Sequence, residues 1–309
     1  MNTKQDLHRT DDLYNNCKLC PRNCGIDRRF NKGYCGQSHE LRCARASLHM
    51  WEEPCISGKT GSGTVFFCGC SMKCVFCQNH EISGSNYGKV IDVNRLVDIF
   101  FELKDKGAKN INLVTPTHFV PTIARALNIA KGRNLNIPVV YNTSSFEHVE
   151  TLKMLDGLVD IYLPDLKYMD DAIAIRYSHA PKYFEYAKKA IEEMVRQKSY
   201  IEWNEGQDLL KSGVVVRHMI LPGHTKDSMN IIKYLYETYK DSIFISIMNQ
   251  YTPVTDLSEY KEIDRRITKR EYNKVVDYAI NLGVVNGFIQ GDKTAQDSFI
   301  PDFSDYFGV

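Results

Sequence analysis

The cysteines of this 309-residue chain are its most constraining feature. All ten lie between Cys17 and Cys77, and four fall within the ten positions of the stretch CGCSMKCVFC, which begins at Cys68. Clustered thiols in a reducing cytosol are more often metal ligands or redox groups than disulfides. We therefore expect metal to organise the N-terminal part of the chain.

The charge pattern argues against two classes of partner. The net charge is +1, with Lys and Arg spread along the chain, so there is no basic footprint for nucleic acid or for an acidic membrane surface. No stretch approaches the ~18 apolar residues of a membrane-spanning helix. The polar N-terminus MNTKQDLHRTDDLYNN also lacks the apolar core of a signal peptide. These patterns predict a cytoplasmic protein.

Short apolar runs alternate with amphipathic segments after Gly61. The runs are TVFF (64–67), INLV (111–114), IPVVY (137–141), VDIYL (159–163), GVVVRHMI (213–220), IFISIM (243–248) and VVNGFI (284–289). Buried β-branched strands that alternate with helices indicate parallel βα repeats. Their number favours an α/β fold of the partial (β/α)6 TIM-barrel type, and the absence of GxGxxG after the first strand counts against a dinucleotide-binding fold.

The same reading divides the chain and marks helix ends. Residues 1–60 predict a small Cys-rich metal-binding lobe, 61–292 the partial barrel and 293–309 a C-terminal extension. Asp92 has the position of a helix N-cap. Three later glycines stand where a helix C′ residue is expected, namely Gly107, Gly132 and Gly283.

Cys70, Cys74 and Cys77 follow the first barrel strand with the spacing Cys-x3-Cys-x2-Cys. In βα barrels the chemistry lies at the C-terminal ends of the strands, which is where this loop falls. Three thiolates hold three irons of a [4Fe–4S] cluster and leave the fourth iron open. The alternative is a four-thiolate zinc site that also uses Cys68 or a more distant thiol.

This spacing, with Phe76 just before the third cysteine, resembles the signature of the radical S-adenosylmethionine (SAM) superfamily. The resemblance implies that the open iron chelates the amino and carboxylate groups of SAM. An electron then cleaves the sulfonium to give a 5′-deoxyadenosyl radical, which abstracts hydrogen. In relatives the aromatic residue lies beside the adenine, so the resemblance assigns that role to Phe76.

Further segments resemble the activases of glycyl-radical enzymes, most closely their uncharacterised pyruvate formate-lyase activating enzyme-like relatives. The segments are CKLCPRNCGIDR, LHMWEEPCISGKTGSGTVFF, CVFCQN, DLK (165–167) and VVVRHMILPG (214–223). The resemblance implies that Asp165 and Lys167 approach the methionine moiety of SAM. The alternative for this pair is an exposed surface ion pair.

The chain departs from the activases after the second and third strands. Where activases carry GGEP, this sequence has LVTPTH, in which Thr115 and Thr117 either contact SAM or cap the following helix. Asn142 stands where activases have an aspartate, and an amide there can bond a carboxylate or a ribose hydroxyl. Arg217 lies inside the barrel if Val214 and Val216 point outward, and a buried arginine needs an anion.

The N-terminal lobe contains a second set of thiols, Cys17, Cys20, Cys24 and Cys35. Their spacing suits a closed four-thiolate zinc site, and a lobe this small needs a metal to fold. The alternative is an auxiliary [4Fe–4S] cluster. Three further residues, Cys55, Glu52 and Glu53, are candidates for the mouth of the barrel. The alternative is that Cys55 is a buried small hydrophobe and that the two glutamates are solvated.

These features favour an oxidoreductase that cleaves SAM at a [4Fe–4S] cluster and abstracts hydrogen from a glycine of a partner glycyl-radical enzyme. The resemblance also implies an electron donor such as flavodoxin or ferredoxin. A second interpretation keeps the chemistry but changes the substrate to another peptide or a small molecule. A third is a non-catalytic iron–sulfur or zinc protein for electron transfer or scaffolding.

Overall fold

The computed structural model describes residues 12–84, 87–290, 301, 303 and 305–309. A single sheet dominates this part of the chain. Its strands are β1 Arg42–His49, β2 Ser62–Phe67, β3 Lys89–Val90, β4 Ile111–Val114, β5 Val139–Thr143, β6 Ile161–Pro164, β7 Glu202–Trp203, β8 Leu210–Met219, β9 Phe244–Met248 and β10 Gly287–Ile289.

Helices follow most of the parallel strands. The α-helices are α1 Pro54–Ser57, α2 His80–Ser83, α3 Val93–Asp105, α4 Val120–Gly132, α5 Val149–Lys153, α6 Asp171–Ser178, α7 Tyr183–Gln197, α8 Thr225–Tyr239 and α9 Lys269–Leu282. Two 3-10 helices cover Thr117–Phe119 and Lys240–Ser242.

The sheet has the order β10-β9-β8-β6-β5-β4-β2-β1-β3, with β7 paired to β8. Neighbours from β2 to β10 on this path are parallel, whereas β1 is antiparallel to both β2 and β3. Among the described residues β10 does not pair with β3, so the barrel stays open along that side. This architecture confirms the predicted α/β partial barrel.

Each predicted apolar run overlaps a strand of the parallel sheet, but β1 was missed because it lies in the Cys- and Arg-rich region. β1 runs beside β2 from Cys43 opposite Phe67 to His49 opposite Ser62. The sheet therefore begins before residue 61, where the sequence analysis places the start of the barrel. Most of the proposed C-terminal extension, 293–300 together with 302 and 304, lies outside the described residues.

The helix-end predictions are confirmed with one exception. The Asp92 side chain accepts from the Arg95 amide and so caps α3, and Gly283 follows α9 in the left-handed conformation at φ 94°. Gly107 likewise follows the end of α3 at φ 90°. Gly132, however, is still helical, and Asn134 carries the positive φ of 64° two residues later. Asparagine tolerates this conformation, so the chain turns there instead.

Apolar residues pack on both faces of the sheet, one layer against the outer helices and the other inside the barrel. Alternate residues of β8 show the division: Val214 and Val216 pack with the helices, whereas Val215 faces inward. The interior layer closes the floor of the barrel, and it contains Cys55, Ile56, Val140, Ile161, Leu163, Leu210, Val215 and Phe244. Because β1 is antiparallel to β2, the segment that follows β1 crosses this floor.

The N-terminal cysteine lobe packs against the helices that follow β4 and β5. The Tyr14 hydroxyl bonds the Thr122 hydroxyl at 2.9 Å, and the Thr151 hydroxyl donates to the Leu19 carbonyl at 2.8 Å. The Cys70 amide donates to the Cys35 carbonyl at 3.3 Å. The lobe therefore supports the loop that leaves β2.

Candidate active site

The three cysteines of the loop after β2 line one cavity. Cys70, Cys74 and Cys77 are partly buried, and the cavity has a volume of about 230 Å³. The loop starts at Gly69, whose φ is 86°, and a Cβ atom there would lie 2.6 Å from the Cys35 carbonyl oxygen. Only glycine fits both constraints, so Gly69 sets the path of the loop.

Hydrogen bonds hold this cysteine loop from several directions. The Val75 amide donates to the Tyr177 carbonyl at 2.9 Å, and the Thr255 hydroxyl donates to the Val75 carbonyl at 2.5 Å. Arg22 of the N-terminal lobe donates to the Ser71 carbonyl at 2.6 Å. The loop is thus fixed to α6, to the segment after β9 and to the lobe, as a preorganised ligand set requires.

One thiol accepts a hydrogen bond that the sequence did not reveal. The Ser178 hydroxyl lies 2.9 Å from Cys74 Sγ, and the Tyr168 hydroxyl lies 2.6 Å from Ser178 Oγ. Both Tyr168 and Ser178 are buried. Ser178 ends α6, far from the cysteines in sequence, so no local motif links it to Cys74.

Burial raises the pKa values of two of the loop thiols. For Cys74 the pKa rises to about 11, although the charge of Lys167 opposes the effect of burial. For Cys77 it rises to about 12, through burial and then through the neighbouring Cys74. Without a metal, the thiols of Cys74 and Cys77 are therefore protonated at neutral pH, and metal binding must displace these protons.

Phe76 lies at the cavity beside the cysteines. It is 4% exposed and packs edge to face against Tyr251, with ring centroids 5.6 Å apart. Tyr251 follows β9 in the segment MNQYTP, and its hydroxyl donates to the Ile263 carbonyl at 2.7 Å. The position of Phe76 is thus fixed by a neighbour on the opposite side of the barrel.

A network of buried charges lines the cavity below the cysteine loop. Arg217 donates through Nε to Asp165 at 2.8 Å, through Nη1 to Glu52 at 3.2 Å and through Nη2 to Asn142 at 2.6 Å. Lys167 Nζ donates to the other oxygen of Asp165 at 2.7 Å. Arg217 is inside the barrel as the alternation of β8 predicts, and its anions are carboxylates of this chain.

Two opposing effects set the pKa values in this network. Burial disfavours the charge of Asp165, but Arg217 and Lys167 outweigh it and lower the carboxyl pKa. Burial similarly disfavours the charge of Lys167, yet Asp165 outweighs it and raises the pKa of the ammonium. Both side chains are no more than 20% exposed. The pair is therefore not the exposed surface ion pair that the sequence left open.

The two threonines after β4 lie in different places. Thr115 lines the cavity with φ 56°, a left-handed conformation that is unusual for a threonine. Thr117 does not line it: its buried hydroxyl donates to Glu147 at 2.6 Å. Neither side chain caps α4, whose N-cap is Phe119. The predicted contact of Thr117 with a cofactor is thus corrected, because Glu147 takes up its hydroxyl.

Glu52 and Glu53 occupy the interior of the barrel and are not solvated acids at its mouth. Both line the cavity, and Glu52 accepts from the Asn112 amide at 2.9 Å and from Asn142 at 3.4 Å. Cys55 belongs to the apolar floor and does not line the cavity. The sequence missed this because β1 was not predicted, and only β1 directs the segment after it under the sheet.

The donor set fits a [4Fe–4S] cluster and SAM. Three thiols that face one space can hold three irons, and thiolate is the usual ligand of such clusters. A cluster with thiolate ligands favours a nearby cation, and the charge of Lys167 acts on Cys74. The methionine moiety of SAM carries both an ammonium and a carboxylate, for which Asp165 and Lys167 are opposite charges.

The N-terminal thiols form a second, closed group. Cys17, Cys20 and Cys35 are buried, and a Cβ atom on Gly33 would lie 3.4 Å from Cys35 Sγ and 3.6 Å from Cys24 Sγ. Burial raises the pKa of Cys20, with Cys35 and Cys17 as further causes. The structure thus brings together all four residues that the sequence grouped.

A buried arginine adjoins this closed group. Arg28 is 0% exposed and donates to the carbonyls of Gln37 at 3.2 Å, of His118 at 2.6 Å and of Ser38. Its Nη1 lies 3.9 Å from Cys17 Sγ. Among the described residues no carboxylate pairs with it, and the thiol of Cys17 is the group beside it that becomes an anion when it binds a metal.

The described part of the chain lacks two kinds of feature. No three His, Cys, Asp or Glu side chains there are grouped closely enough to hold a metal ion. A [4Fe–4S] cluster differs from a single ion because each thiolate binds its own iron, so the sulfur atoms lie further apart. A single zinc ion on the N-terminal thiols would instead draw their sulfur atoms closer together than they are in this structure. In the same ranges no helix combines the length and the apolar character that crossing a bilayer requires.

Comparison with known proteins identifies a family and several relatives that this chain resembles. Residues 64–235 match the family model described as the radical SAM superfamily. An uncharacterized protein of Methanocaldococcus jannaschii is 30% identical over 277 residues, which are 87% of this chain and 75% of that protein. The crystal structure of Streptococcus suis SuiB bound to S-adenosylmethionine superposes with a TM-score of 0.51 at 15% identity over 73% of this chain.

The likeness to SuiB extends over only part of that protein. This chain covers 49% of the SuiB chain, so it spans about half the length of that solved structure. At 15% identity the superposition shows a shared fold and no more. The family model covers more than half of this chain and includes the three cysteines of the loop after β2. The chain therefore belongs to the radical SAM superfamily, whose members use a [4Fe–4S] cluster and SAM.

Proposed function

We propose that this protein binds a [4Fe–4S] cluster through Cys70, Cys74 and Cys77 and uses SAM to abstract hydrogen from a substrate in the cavity. The observation that carries the proposal is the convergence of three thiols with the Asp165–Lys167 pair on one cavity. When bound, the two cofactors supply one-electron cleavage of SAM to methionine and a 5′-deoxyadenosyl radical that takes a hydrogen atom.

Asp165 and Lys167 would orient the methionine moiety of SAM. In the structure they pair with each other at 2.7 Å, so Lys167 would share its ammonium between Asp165 and the SAM carboxylate. Asp165 would offset the ammonium and sulfonium charges. Because both groups are largely buried, these contacts are poorly screened by salt.

The remaining cavity residues would complete the cofactor site. Phe76 would pack beside the adenine, and Thr115 would present its hydroxyl and carbonyl groups at the end of β4. Asn142 and Arg217 bond each other at 2.6 Å. Because Arg217 already has two carboxylate partners, its role would be to hold Asp165 and Asn142 in position rather than to bind a cofactor anion directly.

The first candidate substrate is a glycine Cα of a partner glycyl-radical enzyme. The motifs DLK (165–167) and VVVRHMILPG (214–223), which resemble those of the activases, support this candidate. Both lie at the cavity, through Asp165 and Lys167 after β6 and through Arg217 on β8. An electron donor such as flavodoxin or ferredoxin would supply the electron.

The second candidate is another peptide or a small molecule. The closed apolar floor and the acids above it favour this candidate, because they leave an enclosed polar site within the barrel. A substrate bound there would be surrounded by protein on the side away from the cysteine loop. Such enclosure protects a radical from solvent and from side reactions.

We also propose that Cys17, Cys20, Cys24 and Cys35 bind either a structural zinc ion or an auxiliary [4Fe–4S] cluster. Arg28 supports a metal there, because four thiolates on a metal carry the negative charge that this buried cation needs. A metal in this lobe would also stabilise the region that supports the catalytic loop.

Anaerobic reconstitution tests the proposed function. The wild-type protein, given SAM and a strong reductant, should release 5′-deoxyadenosine and methionine, and the Cys70→Ala/Cys74→Ala/Cys77→Ala variant should release neither. Iron and sulfide should fall by one cluster in the variant. Equal turnover in both proteins would refute the cysteine assignment. A wild-type protein that holds its cluster but cleaves no SAM with any reductant would point to electron transfer instead.

A further inference from the structure

Glu53 is the carboxyl group of the cavity whose hydrogen bonds are incomplete. It is 6% exposed, yet it lines the cavity. Within the described residues its Oε2 atom has no hydrogen-bond partner. The Ser246 hydroxyl of β9 lies beside it without forming a hydrogen bond of good geometry. A buried carboxyl oxygen without a partner is costly, so its retention calls for a ligand.

The charges around Glu53 leave it without a cation of its own. Three carboxyl groups share two cations in the cavity, namely Asp165, Glu52 and Glu53 against Lys167 and Arg217. Arg217 directs its three nitrogens to Asp165, Glu52 and Asn142, and Lys167 donates to Asp165. Glu53 is therefore the surplus acid of this network.

The position of Glu53 separates it from the cysteine loop. Its neighbour Glu52 bonds Asn112, which lies two residues before the last residue of β4. Asn112 pairs with Thr64 of β2, three residues before the end of that strand, so the Glu52 contact lies about 10 Å below the point where the cysteine loop leaves β2. The apolar floor with Cys55 and Ile56 closes the barrel beneath it.

We infer that Glu53 is the substrate-recognition residue of the cavity and that it binds a protonated amine of the substrate. An ammonium supplies the missing positive charge and donates to the free carboxyl oxygen, whereas a carboxylate would be repelled by the two glutamates. The inference rests on the proposed function, because it assigns the substrate class of the same cavity. The amine belongs either to a small molecule or to a side chain of a peptide.

Burial supports this assignment energetically. Desolvation raises the pKa of Glu53, and the adjacent Glu52 raises it further against the opposing effect of Arg217. An approaching ammonium would favour the ionised form of the acid again. A bound cation would therefore offset the unfavourable burial of the Glu53 carboxylate.

Ligand-detected NMR titration of the SAM-loaded, reconstituted protein tests the inference, with n-propylammonium as the probe. The matched probes are 1-propanol and propionate, which have the same carbon chain without the positive charge. The ammonium should bind wild-type protein saturably, and the affinity of each of the two matched probes should be lower by a factor of about ten or more. Glu53→Gln should weaken ammonium binding about tenfold or more, and Glu53→Asp should retain part of it.

SAM affinity and SAM cleavage separate this inference from the proposed function. Both should be unchanged in Glu53→Gln, because the residue lies below the cofactor end of the cavity. Equal ammonium affinity in wild-type and Gln proteins would overturn the inference, as would a loss of SAM affinity in the variant. Failure of the wild-type protein to cleave SAM would instead overturn the proposed function, and the amine titration does not depend on cleavage.

Two blocked peptides identify the source of the amine. N-acetyl-Gly-Lys-Gly-amide carries one ammonium, and N-acetyl-Gly-Gly-Gly-amide carries none. If the lysine peptide binds more tightly than n-propylammonium and the triglycine peptide does not bind, the amine belongs to a peptide side chain. If n-propylammonium alone binds, the amine belongs to a small molecule. Binding of both peptides with equal affinity would contradict recognition of an amine.

Discussion

The molecule contains two groups of cysteines whose surroundings differ. Cys70, Cys74 and Cys77 face a cavity beside Lys167 and Asp165, so a ligand can reach them. Of the N-terminal four, Cys17, Cys20 and Cys35 are buried in their lobe beside the buried Arg28, and Cys24 is partly buried. Three thiols that open on a cavity leave a metal position free for chemistry, whereas four enclosed thiols complete a coordination sphere. Under the proposed function, the same side chain would serve reactivity in the loop and stability in the lobe.

The largest expected difference between the two groups is in stability. Cys17→Ser/Cys20→Ser should remove the lobe metal and cost several kcal/mol, roughly a 10 °C fall in Tm, because metal binding supplies folding energy. Cys74→Ala should remove the loop cluster with a much smaller fall. Metal analysis and thermal unfolding of both variants provide the measurement. A lobe variant that keeps its metal, or two variants of equal stability, would show that the lobe thiols do not hold a stabilising metal.

The next largest effect should be on SAM affinity at the cavity. Lys167→Ala and Asp165→Ala should each raise the SAM dissociation constant well beyond tenfold, since losing one partner of a buried charged contact costs about 2–5 kcal/mol. Spectroscopic titration of the cluster measures this constant, and the iron content should not change. Lys153→Ala is the matched control, because its pair with Glu150 is at least half exposed. Unchanged SAM affinity in both cavity variants would leave the DLK motif without a role in binding.

Glu147 lies near the N-terminal cysteine group and should make stability depend on pH. Its buried carboxyl accepts from Thr117, Thr143 and Tyr141, and it lies near Cys20. Burial raises its pKa from 4.5 to about 7. The folded state therefore binds the proton more tightly, and stability should fall by up to about 3 kcal/mol as pH rises from about 4.5 to about 7.

The Glu147→Gln variant isolates that contribution. It keeps an oxygen that accepts the three hydrogen bonds but does not ionise, so its stability relative to wild type should rise between pH 5 and pH 8. Thermal unfolding across this range is the measurement, and Glu150→Gln on the exposed surface of α5 is the control. A constant difference between wild type and Glu147→Gln at all pH values would show that Glu147 ionises normally.

The smallest effect should be on the reduction potential of the loop cluster. Ser178 donates to Cys74 at 2.9 Å, and a hydrogen bond to a cluster sulfur stabilises the reduced, more negative state. Ser178→Ala should therefore lower the midpoint potential by about 40 mV, which corresponds to about 1 kcal/mol for one electron. Spectroelectrochemical titration measures it, with the exposed Ser199→Ala as control. A potential equal to that of wild type would mean that Ser178 only fills space beside the loop.

The sequence by itself determined the parallel strands, the open barrel and the two cysteine groups. Strand positions followed from short β-branched runs such as INLV, which became β4 residue for residue. Such runs are local signals, because a buried strand must be apolar whatever its neighbours are. The resemblance to the activases directed attention to Asp165 and Lys167 at the end of a strand, and strand alternation predicted that Arg217 points into the barrel.

Only the tertiary structure decided which side chains meet across the barrel. β1 carries charged and small residues and lacks an apolar alternation, so its antiparallel pairing with β2 could not be predicted. That pairing sends Glu52 and Glu53 into the interior, where Glu52 pairs with Arg217 of β8. Contacts of this kind join residues more than a hundred positions apart and depend on the packing of the whole sheet. The residues at the floor of the cavity could therefore be identified only from the folded structure, whereas the cysteine loop could be identified from the sequence.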